Sequence, residues 1–349
     1  VVYLQDYDRI PVRNIYYMLC YAWDRLKEKD EVKVSQSDFS DIYNLLSRVL
    51  INNLEKLIKK GFYKEYNVNY KETSTLRGKI NFNDSLKHFG FKRGKLYCEF
   101  DDFSYNILYN QIIKTILYIL IKYKYLDEEY KEKIYEMLNY FEDISLLRLK
   151  SEHFSKVKLN KNNLYYGFVL DICQLIFDNC LIDESKGDFL FKDFERDDRA
   201  MAYLFENFVR NFYKRECKEF KVYRENINWA EKDSKVDLLP IMQTDISLES
   251  ADRKIIIDTK YYKNSLSNNY GAEKLISSNL YQLFAYLKNI EYKSDKDINA
   301  EGILIYPKTS KELNLRYVIH GHKIKICTVD LNRDWQVIHN RLIEIIRQG

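Results

Sequence analysis

The chain has 349 residues, 46% apolar and 31% charged, and 56 basic against 52 acidic side chains leave a formal charge of only +4. That length allows two domains with a core each, and 10 Gly with 3 Pro leave little material for disordered linker. The balance excludes a solvated tail, a repeat array and a protein that grips nucleic acid by global charge alone; no apolar run approaches the roughly 20 residues of a membrane span and no leader pattern opens the chain, so a cytoplasmic protein with no membrane contact is expected.

Residues 12 to 27 place Ile15, Leu19, Ala22 and Leu26 on one stripe, which predicts a core-packing helix, and a second is expected over 41 to 59 behind Ser and Asp residues suited to capping. Between Gly61 and Phe103 the period changes: YKEYNVNYKE, GKINF and GKLYCEF read as strands joined by turns at Arg77-Gly78 and Arg93-Gly94. Helical periodicity returns over 105 to 142 and 163 to 181, and the charged stretch from Asp183 to Asp198 reads as a domain boundary. Beyond it come a helix at 199 to 218, a strand at 221 to 228, strands at 245 to 250 and 254 to 260, a helix at 272 to 288, a strand at 301 to 306, a basic β segment at 316 to 329 and a last helix from 333. Helix, three strands, helix, strand describes a mixed α/β layer with helices flanking one sheet. Two domains are therefore expected: a mostly helical α+β domain at 1–190 and an α/β domain at 191–349.

The six cysteines contain no CxxC pair and the five histidines complete no zinc spacing, so the thiols read as buried and free. His320 and His322 alternate in a strand-like stretch without a third ligand and carry no metal assignment. The chemistry concentrates in RKIIIDTKYY at 253 to 262. An Ile run belongs in a strand buried on both faces, where the Asp258 and Lys260 that end it are costly unless they meet a metal or each other. Upstream, Asp245 opens the strand DISLES, and SADR supplies a turn. In a hairpin centred between Ala251 and Asp252, residues whose numbers add to 503 face one another, which sets Asp245 opposite Asp258 at about 4.5 to 5.5 Å between Cβ atoms. Alternation puts Asp258 and Lys260 on one side of the strand and Thr259 on the other. Two carboxylates that close suit a divalent cation with a taste for oxygen, Mg²⁺, while Lys260 offers charge to a nucleophile or a transition state: the chemistry of phosphodiester hydrolysis. Asp237, in KVDLLP, is the competing first carboxylate and ranks below Asp245 because it lies too far from the turn.

Asp, a hairpin, then Asp-x-Lys on the next strand resembles the PD-(D/E)xK nuclease superfamily, with Thr244 rather than Pro before Asp245. On that resemblance Glu206 in YLFENF matches the helix acid that supports the metal, and Gln282 with Tyr286 in LYQLFAY matches the QxxxY helix of RecB-like branches. It implies a restriction-endonuclease-like fold with catalytic Asp245, Asp258, Lys260, Glu206 and Gln282, and a Mg²⁺ site of Asp245, Asp258, Thr259 and Glu206. Over nearly the whole chain, IPVRNIYYMLCYAW at 10–23, LRGKINF at 76–82, NQIIKTIL at 110–117, DFERD at 193–197, LLPIMQTDI at 238–246, IIDTKYYK at 256–263, NLYQLFAYL at 279–287 and ILIYP at 303–307 resemble the McrC family, the nuclease subunit of the McrBC modification-dependent restriction system.

That resemblance implies a McrB-like hexameric AAA+ GTPase as partner and double-stranded DNA containing methylcytosine as substrate. The 1–190 domain would then dock on the partner and stimulate it, and the 191–349 domain would cut. No glycine begins a GxxxxGK[ST] loop, in keeping with GTP being handled by another chain. Two rival readings are a non-catalytic adaptor that activates the motor and a stand-alone RecB-like nuclease. Intact Asp245, Asp258, Glu206 and Lys260 speak against the first, and the large N-terminal half with the small net charge against the second.

Overall fold

The structure, a computed structural model, describes residues 10–24, 41–183, 188–191, 197–230, 238–261, 266–269, 272–292, 294–309 and 311–347. In chain order the elements are α1 (Val12–Ala22), α2 (Ile42–Lys60), β1 (Glu65–Thr73), β2 (Lys79–Ile80), α3 (Phe82–Lys87), β3 (Leu96–Ser104), α4 (Leu108–Ile121), α5 (Glu128–Leu138), α6 (Ser151–Ser155), α7 (Gly167–Asp178), β4 (Cys180–Asp183) and β5 (Asp188–Phe191). Then follow α8 (Asp198–Glu216), β6 (Lys221–Tyr223), β7 (Asn226–Ile227), β8 (Met242–Gln243), β9 (Ile246–Glu249), β10 (Lys254–Thr259), β11 (Leu266–Asn269), β12 (Ala272–Leu275), α9 (Ser277–Ile290), α10 (Asp295–Ile298), β13 (Glu301–Pro307), β14 (Asn314–Ile319), β15 (His322–Val329) and α11 (Trp335–Arg347). They form two units, one of Tyr43–Lys192 and one that joins Val1–Ile42 to Asp193–Gly349.

The crossing after Lys192 lies in the charged stretch read as a boundary, but α1 does not belong to the unit that follows it in sequence. The expected 1–190 domain is corrected at this end. Tyr21 of α1 stacks on Trp335 of α11 with ring centroids 5.5 Å apart and meets the edges or tilted faces of Phe208 and Phe212 of α8 at 5.8 and 5.4 Å. Its hydroxyl donates to Glu216 at 2.8 Å, and the buried Asn14 amide donates to the carbonyls of Leu331 and Arg333 at 2.7 and 2.8 Å. An apolar helical stripe states only that a helix must be covered; which distant segment covers it is a tertiary choice.

In the unit of Tyr43–Lys192 the helical stripes of α2, α4 and α7 are buried as their periodicity requires, through Leu46, Leu50, Ile113, Leu117, Ile172 and Ile176. Lys114, buried in α4, points its ammonium at the end of the α5 segment and donates to the carbonyls of Phe141 at 2.8 Å, Glu142 at 3.4 Å and Ile144 at 2.5 Å. Lys114→Met leaves those acceptors without their donor, and urea unfolding of the chain is expected to show this unit weakened by roughly 2–3 kcal/mol. A midpoint equal to wild type would show that the buried ammonium contributes nothing net.

The insertion at 61 to 103 is a three-stranded antiparallel sheet, β1-β3-β2, with α3 between β2 and β3. The Arg77-Gly78 turn is real: Gly78 has φ +59, and a Cβ there would sit 2.2 Å from the Glu99 carbonyl. The second basic turn is less cationic than its sequence, because Arg93 and Lys95 both approach Glu72, at 2.5 and 3.7 Å. Tyr66, Val68 and Tyr70 alternate along β1 with Phe103 facing Tyr66 from β3, and all four are exposed.

The other unit is built on a six-stranded sheet of order β14-β15-β13-β10-β9-β6. β10, β13 and β15 run parallel, while β9, β6 and β14 pair antiparallel to their neighbours. All six residues of β10 are buried, as an Ile run between two helical layers must be. Ile256, Leu304, Tyr306, Ile324 and Ile326 pack under Leu283, Tyr286, Leu287 and Ile290 of α9. Gly302 permits the close approach of α9, since a Cβ there would lie 2.8 Å from Leu287 Cδ1. Alternation sends Ile255 and Ile257 to the opposite face, where α8 contacts β10. The fold is thus α/β with a mixed sheet. The stretch read as one helix from 272 opens instead with strand β12, and the helix begins at Ser277.

Candidate active site

The β9–β10 register is the one read from the sequence: Lys254 faces Glu249, Ile255 faces Leu248, Ile256 faces Ser247 and Ile257 faces Ile246. Asp258 and Asp245 are the next residues outward. Asp258 is fully buried at the carboxyl end of β10, and its carboxylate meets the Lys260 ammonium, with Nζ 3.1 Å from Oδ1 and 2.9 Å from Oδ2. The two side chains therefore share a side of the strand, as expected. Lys260 also donates to Gln282 Oε1 at 3.0 Å, and Gln282 Nε2 donates to the Tyr286 hydroxyl at 2.7 Å. The helical spacing of Gln282 and Tyr286, one turn apart on α9, thus becomes a relay that holds the ammonium in place.

Asp245 is fixed from the other flank. Its Oδ2 accepts from the Thr259 N–H at 2.9 Å and from the Thr259 hydroxyl at 3.1 Å. Thr259 gives both its N–H and its hydroxyl proton to Asp245, so it orients that carboxylate. Glu206 lies one helical turn before Arg210 on α8, with Arg210 Nη1 2.9 Å and Arg224 Nη2 3.3 Å from Oε1. Burial, then the Asp245 carboxylate, raises the pKa of Glu206. Burial, then Asp245, pushes Asp258 up to about 7 against the pull of Lys260. Burial and the Asp245 carboxylate thus disfavour the anion of both Glu206 and Asp258.

Asp258 Oδ2 is buried and accepts no hydrogen bond, although the ammonium stands within ion-pair distance. An oxygen left in that state beside a second carboxylate fits a divalent cation. Among the described residues no group of three His, Cys, Asp or Glu side chains is already arranged around a cation position. Glu206, the third acid of the expected set, is paired with Arg210 and Arg224.

Asp237 lies outside the described residues. His322 is buried with Nδ1 2.8 Å from the Ala300 carbonyl and Nε2 2.6 Å from Glu291, a structural placement. Lys325, in the basic β segment, is buried and donates to the Ile345 carbonyl at 3.2 Å. Cys20, Cys98, Cys173, Cys217 and Cys327 are buried and Cys180 is half-buried, all six outside any disulfide. Among the described residues no helix is long and apolar enough to cross a membrane. Sequence reading missed both arginines at Glu206. Arg210 carried a signal, its i,i+4 spacing from Glu206; Arg224 carried none, since only strand pairing brings it near.

A profile of the family described as "McrBC 5-methylcytosine restriction system component" matches residues 5–307. The chain belongs to that family. It is 35% identical over 339 residues, 96% of this chain and 97% of the relative, to the type IV methyl-directed restriction enzyme EcoKMcrBC of Escherichia coli K12. Among solved structures it resembles a chain of the half-complex from the tetradecameric assembly of Thermococcus gammatolerans McrB AAA+ hexamers with bound McrC, with a TM-score of 0.58 over 97% of this chain and 75% of that one. At 14% identity that likeness is one of fold. Membership of the McrBC family makes this chain a restriction-system component, and the DNA-cutting role of a particular acid cluster is a separate question.

Proposed function

We propose that this chain is the cutting subunit of a GTP-driven, methylcytosine-directed restriction complex, and that its sheet unit has the PD-(D/E)xK nuclease fold. The observation that carries this reading is the buried Asp258 at the end of β10, with one oxygen lacking a hydrogen bond, Lys260 on its own side and Asp245 immediately before the neighbouring strand β9. Asp245 and Asp258 would hold a divalent cation, with Glu206 as the third acid of the set. A bound Mg²⁺ supplies charge to the scissile phosphate and acidifies the attacking water. The residues around it do the rest. Lys260, aimed by Gln282 and Tyr286, brings an ammonium to the place where negative charge develops, and Thr259 keeps Asp245 from swinging away.

The partner in this reading is an McrB-like AAA+ hexamer, as bound by McrC in the Thermococcus gammatolerans assembly. Docking and stimulation fall to the unit of Tyr43–Lys192, whose β1–β3 sheet displays Tyr66, Val68, Tyr70 and Phe103 to solvent. Rigidly displayed aromatic side chains are the residues from which tight interfaces are made. Plasmid cleavage tests the whole reading. Cutting is expected only when methylated DNA, the AAA+ partner, GTP and Mg²⁺ are all present with this chain. Stimulated GTP hydrolysis with no cutting would favour the adaptor reading, and cutting by this chain alone would favour a stand-alone nuclease.

A further inference from the structure

Glu206 has two guanidinium partners, and they are not equivalent. Arg210 comes from the same helix, lies 2.9 Å away with its side chain 18% exposed, and is anchored a second time on Asn207. Arg224 follows β6, lies 3.3 Å from the same oxygen, and its side chain is 44% exposed. The position of Arg224 is set by the backbone. Thr244 N donates to the Glu225 carbonyl at 2.9 Å and Glu225 N donates to the Thr244 hydroxyl at 2.9 Å, which locks the Arg224–Glu225 segment beside the residue that precedes Asp245.

Arg210 already meets Oε1 from the same helix, so the Arg224 pairing adds little: an ion pair this exposed is worth at most about 1 kcal/mol. Three carboxylates at the site would repel a phosphodiester, and a cation at the mouth is what lets a polyanion approach. A guanidinium is suited to that task because its planar fork meets two phosphate oxygens at once.

We infer that Arg224 is a phosphate-binding residue of the cleavage site. Glu206 holds its guanidinium beside Asp245 when no DNA is bound, and on entry of the duplex Arg224 exchanges Glu206 for a backbone phosphate while Arg210 remains with the carboxylate. This rests on the nuclease reading above and adds to it the residue that meets the DNA strand.

The test uses the full chain and a short fluorescent duplex in EDTA, so that cation binding plays no part, with anisotropy read from ~50 to ~200 mM salt. Arg224→Gln is expected to weaken binding several-fold at the lowest salt and to flatten the log–log salt slope by about 0.9, the share of one phosphate contact. Arg224→Lys keeps the charge and is expected to keep the slope. Arg210→Gln is expected to retain the slope and to lower the thermal midpoint. An Arg224→Gln protein with wild-type slope and affinity overturns the inference, and so does a lowered midpoint with unchanged slope, which marks the pair as structural. The same flattening in Arg210→Gln overturns it as well. Asp258→Asn run beside them in a cleavage assay judges the nuclease reading by itself, since that variant cutting like wild type defeats the site without touching the salt slopes.

Discussion

Asp258→Asn should abolish DNA cleavage, by on the order of 10²–10³-fold or more, the loss expected when a group that organises transition-state charge is removed. The same variant should be more stable than wild type in EDTA at neutral pH. Asp258 retains its proton up to about pH 7 in the fold, because burial and the Asp245 carboxylate disfavour its anion, whereas in the unfolded chain it titrates near 3.8. Between those values the folded state binds more protons than the unfolded one, so wild-type stability falls as pH rises through that window and stays lower above it. Asn carries no such proton. The stability difference between variant and wild type should therefore be near zero below pH 4, grow to pH 7 and then level off. Its ceiling is about 4 kcal/mol, at ~1.4 kcal/mol for each tenfold change in proton affinity, less what Lys260 forfeits with its partner. Urea midpoints at pH 4 and pH 8 read the effect. A variant less stable than wild type at pH 8 would show that the Asp258–Lys260 pair supports the fold, and retained cleavage would remove Asp258 from the chemistry.

Tyr21→Ala should weaken the sheet unit by roughly 3–5 kcal/mol, the cost of deleting a large buried ring. The ring leaves a void against Trp335, Phe208 and Phe212, and Glu216 loses the donor at 2.8 Å. A fragment beginning at residue 191, the boundary read from the sequence, lacks α1 altogether and should expose that aromatic surface and aggregate or unfold. Circular dichroism with near-ultraviolet signal from Trp335 checks both. A fragment of 191–349 that folds cooperatively without α1 would show that the N-terminal helix is an ornament of this unit.

These two expectations mark the two sides of what could be read. The Asp245–Asp258 placement was legible because a hairpin is local: the turn fixes the register, the period of two fixes the face, and Ile255 to Ile257 fix which strand is buried. Family resemblance then pointed to Glu206 and Gln282; the structure sets Gln282 on Lys260 and pairs Glu206 with Arg210 and Arg224. Legibility failed where helix and strand share an apolar pattern over a few residues, as at Ala272–Leu275, which pairs with Leu266–Asn269 as a strand. Charge in the sequence likewise does not show its neighbours: the Arg93 turn is met by Glu72, and Lys325 of the basic β segment is buried against α11.

The sequence by itself determined the α/β grammar of the second half, the β9–β10 register, the Asp258–Lys260 side and the family, because each depends on residues close together or on a pattern carried along the whole chain. Only the tertiary structure decided that α1 completes the sheet unit and that Arg224 stands beside Glu206. Those pairings join segments separated by up to the length of the chain. Nothing local selects them; they are set by which apolar faces cover one another when the core closes, and charged side chains are carried to their partners by that packing.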